Sequence, residues 1–343
     1  MTGSAPRLYC PRCGYRLPPG AYAHRCPRCG SPLELEGRLE APRILGEGRT
    51  PVVEVPRRGA RVAFKLEYLN PTGSFKDRGA AASLHYARLL GYECVVEDSS
   101  GNAGIAAAAY AARLGLRARV HTYRGAGRGK KALIRALGAE LVEWPARGDA
   151  ARAAEGEAAG GGCFYVAHSW SPIFVEGISS IAGELSGYRD WTFIVPVSSG
   201  SLLLGLWRGA RRLGWRPRLV AVQAAEAASL EGLVPLLARV GGATSRLADA
   251  LVLREPPRLG EIAGAVRSSG GGLVVVGDEA IAAALGELLS MGFLVEPSTA
   301  AAWAAFRALE EAGTAEDSVV LLTGSGLKYG EVLESWAAGG GAR

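Results

Sequence analysis

Lysine is scarce in this chain, five residues against thirty-four arginines, and one of the five stands where its amine can do chemistry. Lys76 lies in the stretch Asn70-Pro71-Thr72-Gly73-Ser74-Phe75-Lys76-Asp77-Arg78-Gly79. The alternating apolar run Val62 to Leu66 precedes it and reads as a strand, while Ala80 to Leu90 follows with apolar residues at helical spacing. Asn70-Pro71 and Gly73 punctuate the turn and Ser74 is the predicted N-cap, so Lys76 falls in the first helical turn. A cation there opposes the helix dipole, which predicts a lowered pKa and a larger share of free amine. Schiff-base chemistry requires a free amine, and pyridoxal phosphate is the cofactor held by such a lysine. A surface lysine that merely starts a helix is the alternative, and the preference for arginine elsewhere weighs against it.

A second set of reactive residues sits at the N-terminus. Cys10, Cys13, Cys26 and Cys29 form two copies of CPRCG, with twelve residues between Cys13 and Cys26. Each copy brings two thiolates round a tight turn at a glycine, Gly14 or Gly30, that tolerates positive φ. Together they offer four soft ligands in the tetrahedral array of a structural zinc. Two disulfides are the alternative, but with no apolar leader the chain is expected in the cytoplasm, where disulfides are rare. A redox C-x-x-C has no need of a second copy. Four thiolates leave zinc no open coordination position, so it is assigned to folding or docking and not to catalysis. Cys94 and Cys163 are left single.

Three turns rich in glycine and serine follow predicted strands. Ser99-Ser100-Gly101-Asn102-Ala103-Gly104 comes after the strand Glu93 to Glu97 and opens a helix that includes Ala106 to Arg113. Backbone N–H groups at that helix start can seat a carboxylate at the C-terminal edge of a parallel sheet, although an ordinary capped turn has the same wording. Pro196-Val197-Ser198-Ser199-Gly200-Ser201-Leu202 offers hydroxyls and N–H groups suited to a phosphate, and also reads as a simple cap. Leu322-Thr323-Gly324-Ser325-Gly326-Leu327-Lys328 closes the strand Val319 to Leu322. Glu296-Pro297-Ser298-Thr299 reads as the acidic, proline-marked start of a helix. His24, His85, His121 and His168 share no ligand spacing and most of them are read as structural, and the absence of a G-x-S-x-G elbow or a Walker loop removes support for a hydrolase or nucleotide-driven enzyme.

The Lys76 stretch resembles the cofactor-lysine motif of the fold-type II pyridoxal phosphate enzymes, and its wording is most similar to their threonine synthase branch. Gly46 to Pro51 resembles the G-x-T-P segment before the first strand of that group, and the paired CPRCG segment resembles an N-terminal extension of some archaeal threonine synthases. The resemblance spans residues 46 to 330. It implies that Lys76 carries the cofactor and removes the substrate α-proton, that Ser99, Ser100, Gly101, Asn102 and Ala103 hold the α-carboxylate, and that Asn102 donates to the cofactor's phenolic oxygen. It implies that Ser198, Ser199, Gly200, Ser201 and Leu202 hold the cofactor phosphate and that Thr323 lies beside the pyridine nitrogen. A hydroxyl there leaves the ring neutral, a weaker electron sink than a pyridinium. The wording EPSTAAA makes Glu296 a further pocket candidate. The implied reaction converts O-phosphohomoserine and water to L-threonine and phosphate, in a homodimer. Serine or threonine dehydration and β-replacement by a sulfur nucleophile are rivals on the same scaffold; a zinc-ribbon binding protein with a relic body is the rival that is not an enzyme.

One segment departs from the branch. Threonine synthases commonly carry an arginine that meets the substrate phosphate, and here Phe174 occupies the aligned place in Ser171-Pro172-Ile173-Phe174-Val175-Glu176-Gly177-Ile178-Ser179-Ser180. A phenyl ring cannot pair with phosphate, and the lost contact is worth roughly 1.5 to 3 kcal/mol. Lys65, Arg78, Arg124 and Lys130 are the cations that could compensate.

The elements that must position these residues alternate along the chain. Beyond those already named, strands are predicted at Arg117 to Thr122, Glu140 to Val142, Phe164 to Val166, Phe193 to Val197, Leu219 to Val222 and Leu273 to Val276, with helical patterns between them. Continuous Val/Leu/Ile runs separated by helices predict parallel sheets buried on both faces. The expected architecture is α/β, with two parallel-sheet domains of the fold-type II kind and a small N-terminal zinc ribbon. The expected boundaries are 1–36 for the ribbon, 37–75 with 172–343 for the large domain, and 76–171 for the small one; Gly339 to Arg343 reads as a frayed tail. At 343 residues, with 48% hydrophobic and 21% charged residues, the chain can bury a sizeable core. A net charge of +6, spread without a basic block, argues against a nucleic-acid surface and for mild attraction to anionic metabolites. The Ala-rich run Ala103 to Leu116 is interrupted by Gly104, Arg113 and Gly115, which argues against a membrane span. The expected partner is a small amino-acid substrate.

Overall fold

The computed structural model describes residues 6–57, 59–99 and 101–330. The chain opens with the short strands β1 (Leu8–Tyr9) and β2 (Glu34–Leu35), then β3 (Val52–Val55) and β4 (Val62–Lys65). Next come α1 (Lys76–Leu89), β5 (Cys94–Glu97), α2 (Asn102–Leu114), β6 (Arg117–Tyr123), α3 (Arg128–Ala136), β7 (Glu140–Trp144), α4 (Arg147–Ala159), β8 (Phe164–Tyr165) and α5 (Pro172–Ile178). The remainder is α6 (Ile181–Glu184), β9 (Thr192–Pro196), α7 (Ser201–Arg212), β10 (Arg218–Ala224), β11 (Leu236–Val240), α8 (Leu259–Ser268), β12 (Gly272–Val276), α9 (Asp278–Ser290), α10 (Pro297–Glu311) and β13 (Ser318–Leu321).

Two compact units divide the chain, one built from 1–47 and 76–178 and the other from 48–75 and 179–343. The first holds a parallel four-stranded sheet in the order β7-β6-β5-β8, with α1 packed on α5 and on α2. Its N-terminal segment packs on the same unit: Tyr22 donates to the Tyr165 carbonyl at 2.7 Å and stacks on Phe164 at 4.1 Å, and Arg25 pairs with Glu155 at 3.1 Å. The division therefore falls at 47/48 and 178/179, because the N-terminal segment and α5 bury their contacts against α1 and β8. The second unit holds a seven-stranded sheet in the order β11-β12-β10-β9-β13-β4-β3, parallel except for the antiparallel edge strand β3. Trp303 of α10 is fully buried against this sheet, with Phe64 edge-on at 5.2 Å, and its indole N–H donates to Glu287 at 2.8 Å.

Every strand predicted from an apolar run forms, because a run buried on both faces is visible in sequence. β3 and β11 are edge strands with exposed positions on both, which leave neither a continuous nor an alternating apolar signal. Two local expectations need correction. Ser74 does not cap α1: its Oγ is buried and has no partner among the described residues. Cys94 and Cys163 are not single but joined as a disulfide, their Cα atoms 4.5 Å apart at the neighbouring strands β5 and β8. The predicted tail, Gly339 to Arg343, lies outside the described residues.

Candidate active site and cysteine cluster

Lys76 is the first residue of α1, and the chain leading to it is held by the third glycine turn. Phe75 N–H donates to the Thr323 carbonyl at 3.1 Å, Ser325 N–H to the Gly73 carbonyl at 2.9 Å, and Lys328 Nζ to the carbonyls of Gly73 at 2.9 Å and Thr72 at 3.3 Å. Asn70 braces the other end of the stretch. Its amide donates to the backbone and carboxylate of Glu67 at 2.8 and 3.0 Å, and its Oδ1 accepts from Gly48 N–H at 2.9 Å. Two motifs that lie some 250 residues apart in sequence are thereby tied together.

The same unit carries the phosphate-loop candidates. α7 begins after Gly200, whose φ of 79° is left-handed, and no side chain caps its first turn. Ser199 and Ser201 are buried with their hydroxyls 3.3 Å apart, Leu202 is buried and Ser198 is partly exposed. An uncapped twelve-residue helix with hydroxyls at its head fits a phosphate. A Cβ at position 200 would lie 2.1 Å from Ile262 Cδ1, besides requiring a left-handed backbone. Gly200→Ala is expected to weaken pyridoxal phosphate binding by about tenfold or more, since the backbone alone costs about 1–2 kcal/mol. Absorbance titration of the apoprotein measures this, and an unchanged affinity would remove the loop from the phosphate seat.

Thr323 is buried with its hydroxyl 2.9 Å from that of Thr299, which in turn accepts from Gly324 N–H at 2.9 Å. Glu296 is buried at the N-cap position of α10, its N–H donating to the Gly324 carbonyl at 3.0 Å. The buried, unpartnered Ser74 hydroxyl two residues before Lys76 fits a polar ligand, because leaving it unsatisfied costs about 1–3 kcal/mol. These features suit pyridoxal phosphate.

In the first unit, the turn after β5 opens α2 with Gly101 at the N-cap, again without a side-chain cap; Gly101 N–H donates to Ser99 Oγ at 3.2 Å. Asn102 and Ala103 are nearly buried in the first turn, Ser99 and Gly101 are partly exposed, and Ser100 lies outside the described residues. Phe174 is fully buried, its ring centroid 5.6 Å from Lys76 Nζ. Gly79 makes room for it, since a Cβ there would stand 2.3 Å from the ring. The residue at the place of the expected arginine is thus a wall beside Lys76. Of the cations proposed to compensate, Lys65 must be withdrawn: it is fully buried, with Nζ 2.6 Å from both Glu184 Oε2 and the Thr50 carbonyl. Arg78 and Lys130 are also buried, and Arg124 is exposed.

Sequence reasoning missed three residues near Lys76. His168 Nδ1 is 2.5 Å from Glu97 Oε1 and 4.0 Å from Asp98 Oδ1, at the ends of the adjacent strands β8 and β5. Its ring meets Phe174 edge-on at 6.1 Å. Burial raises Glu97 to about 7, opposed by the charge of Lys76. Burial, with the charge of Glu97 added, raises Asp98 to about 6. Burial and the charge of Lys76 hold His168 down to about 3, so its imidazole is neutral. The available signal was an acidic pair closing an otherwise apolar strand directly before a Ser/Gly turn. His121 is structural as read, bridging Trp144 Nε1 and Glu157 at 3.0 Å each.

The four N-terminal cysteines converge. Cys10 Sγ is 3.5 Å from Cys29 Sγ, Cys13 Sγ is 3.6 Å from Cys26 Sγ, and all four sulfurs lie within 4.8 Å of one another. Sulfurs bound to zinc at about 2.3 Å in a tetrahedron stand about 3.8 Å apart, so the donor set fits that ion and not a pair of disulfides. The two knuckles share one backbone pattern: Gly14 N–H donates to the Cys10 carbonyl and Gly30 N–H to the Cys26 carbonyl, both at 2.9 Å. Their glycines adopt φ of 73° and 72°, as the sequence requires.

Among the described residues no helix is long and apolar enough to cross a membrane. The chain is 30% identical over 306 residues to a threonine synthase of Mycobacterium leprae, covering 84% of each chain. It is 32% identical over 303 residues to a threonine synthase of Synechocystis, covering 82% of this chain and 77% of the relative. A solved structure of an O-ureido-L-serine synthase shares the fold, with a TM-score of 0.74 at 24% identity over 88% of this chain and 96% of that one. The sequence pattern of the family described as pyridoxal-phosphate dependent enzyme matches residues 44–326, from just ahead of β3 through the turn that braces the approach to Lys76, and the chain belongs to that family.

Proposed function

We propose that this protein is a pyridoxal phosphate-dependent lyase that converts O-phosphohomoserine and water to L-threonine and phosphate, acting in the cytoplasm as a homodimer. The observation that carries the reading is the interlock of the Thr72–Phe75 stretch with Thr323–Lys328, because these are the two motifs whose wording is closest to threonine synthases. Curated relatives named threonine synthase, at 30% and 32% identity over more than four-fifths of this chain, support it. Bound pyridoxal phosphate supplies the electron sink that makes the α-hydrogen of an amino acid acidic. Lys76 Nζ holds the cofactor and, once released, carries that proton. The turn Ser99 to Ala103 orients the substrate carboxylate, Asn102 donates to the cofactor's phenolic oxygen, Ser198 to Leu202 bind its phosphate, and Thr323 hydrogen-bonds its ring nitrogen. Zinc on Cys10, Cys13, Cys26 and Cys29 is structural.

Amino-acid dehydration is the second reading, favoured by the buried Phe174 and by the engagement of Lys65 with Glu184. Purified protein offered phosphohomoserine is expected to release phosphate and form threonine, with substrate affinity weaker by about one to two decades than an arginine would allow. The panel is completed by threonine, serine, and phosphoserine with sulfide. Rapid ammonia release from threonine or serine, with no phosphate from phosphohomoserine, would replace the first reading with the second.

A further inference from the structure

The first unit holds an acid–base pair, its carboxyl fully buried and its imidazole partly exposed, that the roles assigned so far leave without a function. Glu97 is completely buried at the C-terminal end of β5, its Oε1 is 2.5 Å from His168 Nδ1, and its Oε2 has no partner among the described residues. A buried carboxylate with one unsatisfied oxygen is expensive unless a proton or a cation compensates it. The surrounding groups are Lys76 from α1, Asp98 on the same segment, His168 and Tyr165 from the end of β8, and Tyr22 from the N-terminal segment. Tyr165 hydrogen-bonds Asp98, and its carbonyl accepts from Tyr22, so the pair sits in a braced frame. Ala167, held at a φ of 48°, turns the chain immediately before His168. β5 and β8 are neighbours in register, so the turn beginning at Ser99 and His168 emerge side by side at the C-terminal edge of the parallel sheet, where α/β sheets bind ligands.

We propose that His168 is the catalytic base for the water that enters the product, with Glu97 as its positioning residue; this rests on the threonine synthase reading above. Ser169 Oγ lies 3.2 Å from His168 Nε2. The water takes the place of that hydroxyl and gives one proton to Nε2 while its oxygen bonds to the substrate β-carbon. The proton already on Nδ1 passes to Glu97 Oε1, and the ring ends neutral in its other tautomer. Across the whole reaction the α-proton leaves and returns through Lys76 Nζ, one β-proton moves to the γ-carbon as its bond to the phosphate oxygen breaks, and the proton left on Glu97 passes through solvent to the departing phosphate, so phosphohomoserine plus water gives threonine plus phosphate. The relay needs Glu97 ionised at the start, and its carboxyl titrates at about 7, so the rate of water addition rises with pH through that region.

His168→Gln and the isosteric Glu97→Gln test this in the full-length holoenzyme. Both are expected to keep the cofactor's visible band and to release phosphate from phosphohomoserine. Threonine formation should fall by about 10²-fold or more in His168→Gln. The flux should divert to 2-oxobutyrate and ammonia, which balance as phosphohomoserine plus water giving 2-oxobutyrate, ammonia and phosphate. Glu97→Gln should lose the acidic limb near pH 7. An unchanged ratio of threonine to 2-oxobutyrate in both variants overturns the assignment, whereas a wild type that releases no phosphate overturns the threonine synthase reading instead. Infrared titration judges the pair without any substrate. The wild type should show a buried carboxyl titrating near 7 that is missing in Glu97→Gln and raised in Lys76→Ala, where the opposing charge is gone. No such carboxyl, or one indifferent to Lys76, overturns the pair whatever the substrate proves to be.

Discussion

Lys76→Ala is expected to purify without the visible absorption band of lysine-bound pyridoxal phosphate and to lose at least about 10³-fold in turnover, since one amine both holds the cofactor and carries the α-proton. Its position explains the size of the effect. Lys76 starts α1 directly after a segment whose backbone is bonded at Gly73 and Phe75 to Ser325 and Thr323, and whose carbonyls are gathered by Lys328. None of the other four lysines stands at such a place: Lys65 is paired with Glu184, Lys131 with Glu143, Lys328 serves the turn and Lys130 is buried in α3. The alanine variant should still fold, because the bracing bonds come from its neighbours. An unaltered band in Lys76→Ala would mean that another lysine is the anchor.

Elemental analysis is expected to find a single zinc in the wild type and none in Cys26→Ser, whose N-terminal segment should unfold. Cys26 is nearly buried, with its sulfur 3.6 Å from that of Cys13, and structural zinc in small domains contributes apparent binding energies of about 10–16 kcal/mol. The consequence should reach beyond the four thiolates. Tyr22, four residues earlier, stacks on Phe164 and donates to Tyr165, while His24 packs edge-on against Tyr165 at 5.2 Å. Losing the metal therefore loosens the frame at the end of β8, and the melting temperature should fall together with zinc content. Full zinc occupancy and an unchanged melt in Cys26→Ser would show that the four-thiolate assignment is wrong.

Much of this protein is legible one segment at a time. A buried parallel strand is a continuous apolar run, a glycine turn after it marks the start of a helix, and a CPRCG knuckle closes its own backbone bonds within five residues. Such signals are local, so the core strands, Lys76 at a helix start and the paired cysteine knuckles can all be read before any fold is known. Ser74 shows the limit even at short range. Its type and place promise a cap, but the backbone bonds to Thr323 and Ser325 settle the turn, and the hydroxyl is left buried without a partner.

What could not be read were the pairs that sheet order creates. α2, β6, α3, β7 and α4 lie between β5 and β8 in sequence, yet β8 pairs directly with β5, and this brings Cys94 to Cys163 and Glu97 to His168. Those partners are 69 and 71 residues apart, and residue spacing carries no record of which strands become neighbours. Lys65 and Phe174 make the same point. A lysine ending a strand reads as an available cation, and a phenylalanine in place of an arginine reads as a missing contact. Burial against Glu184 withdraws the first, and packing on Gly79 turns the second into a wall beside Lys76. Charge and size belong to the residue, but whether a charge is spent or a ring is buried depends on what the fold sets against it.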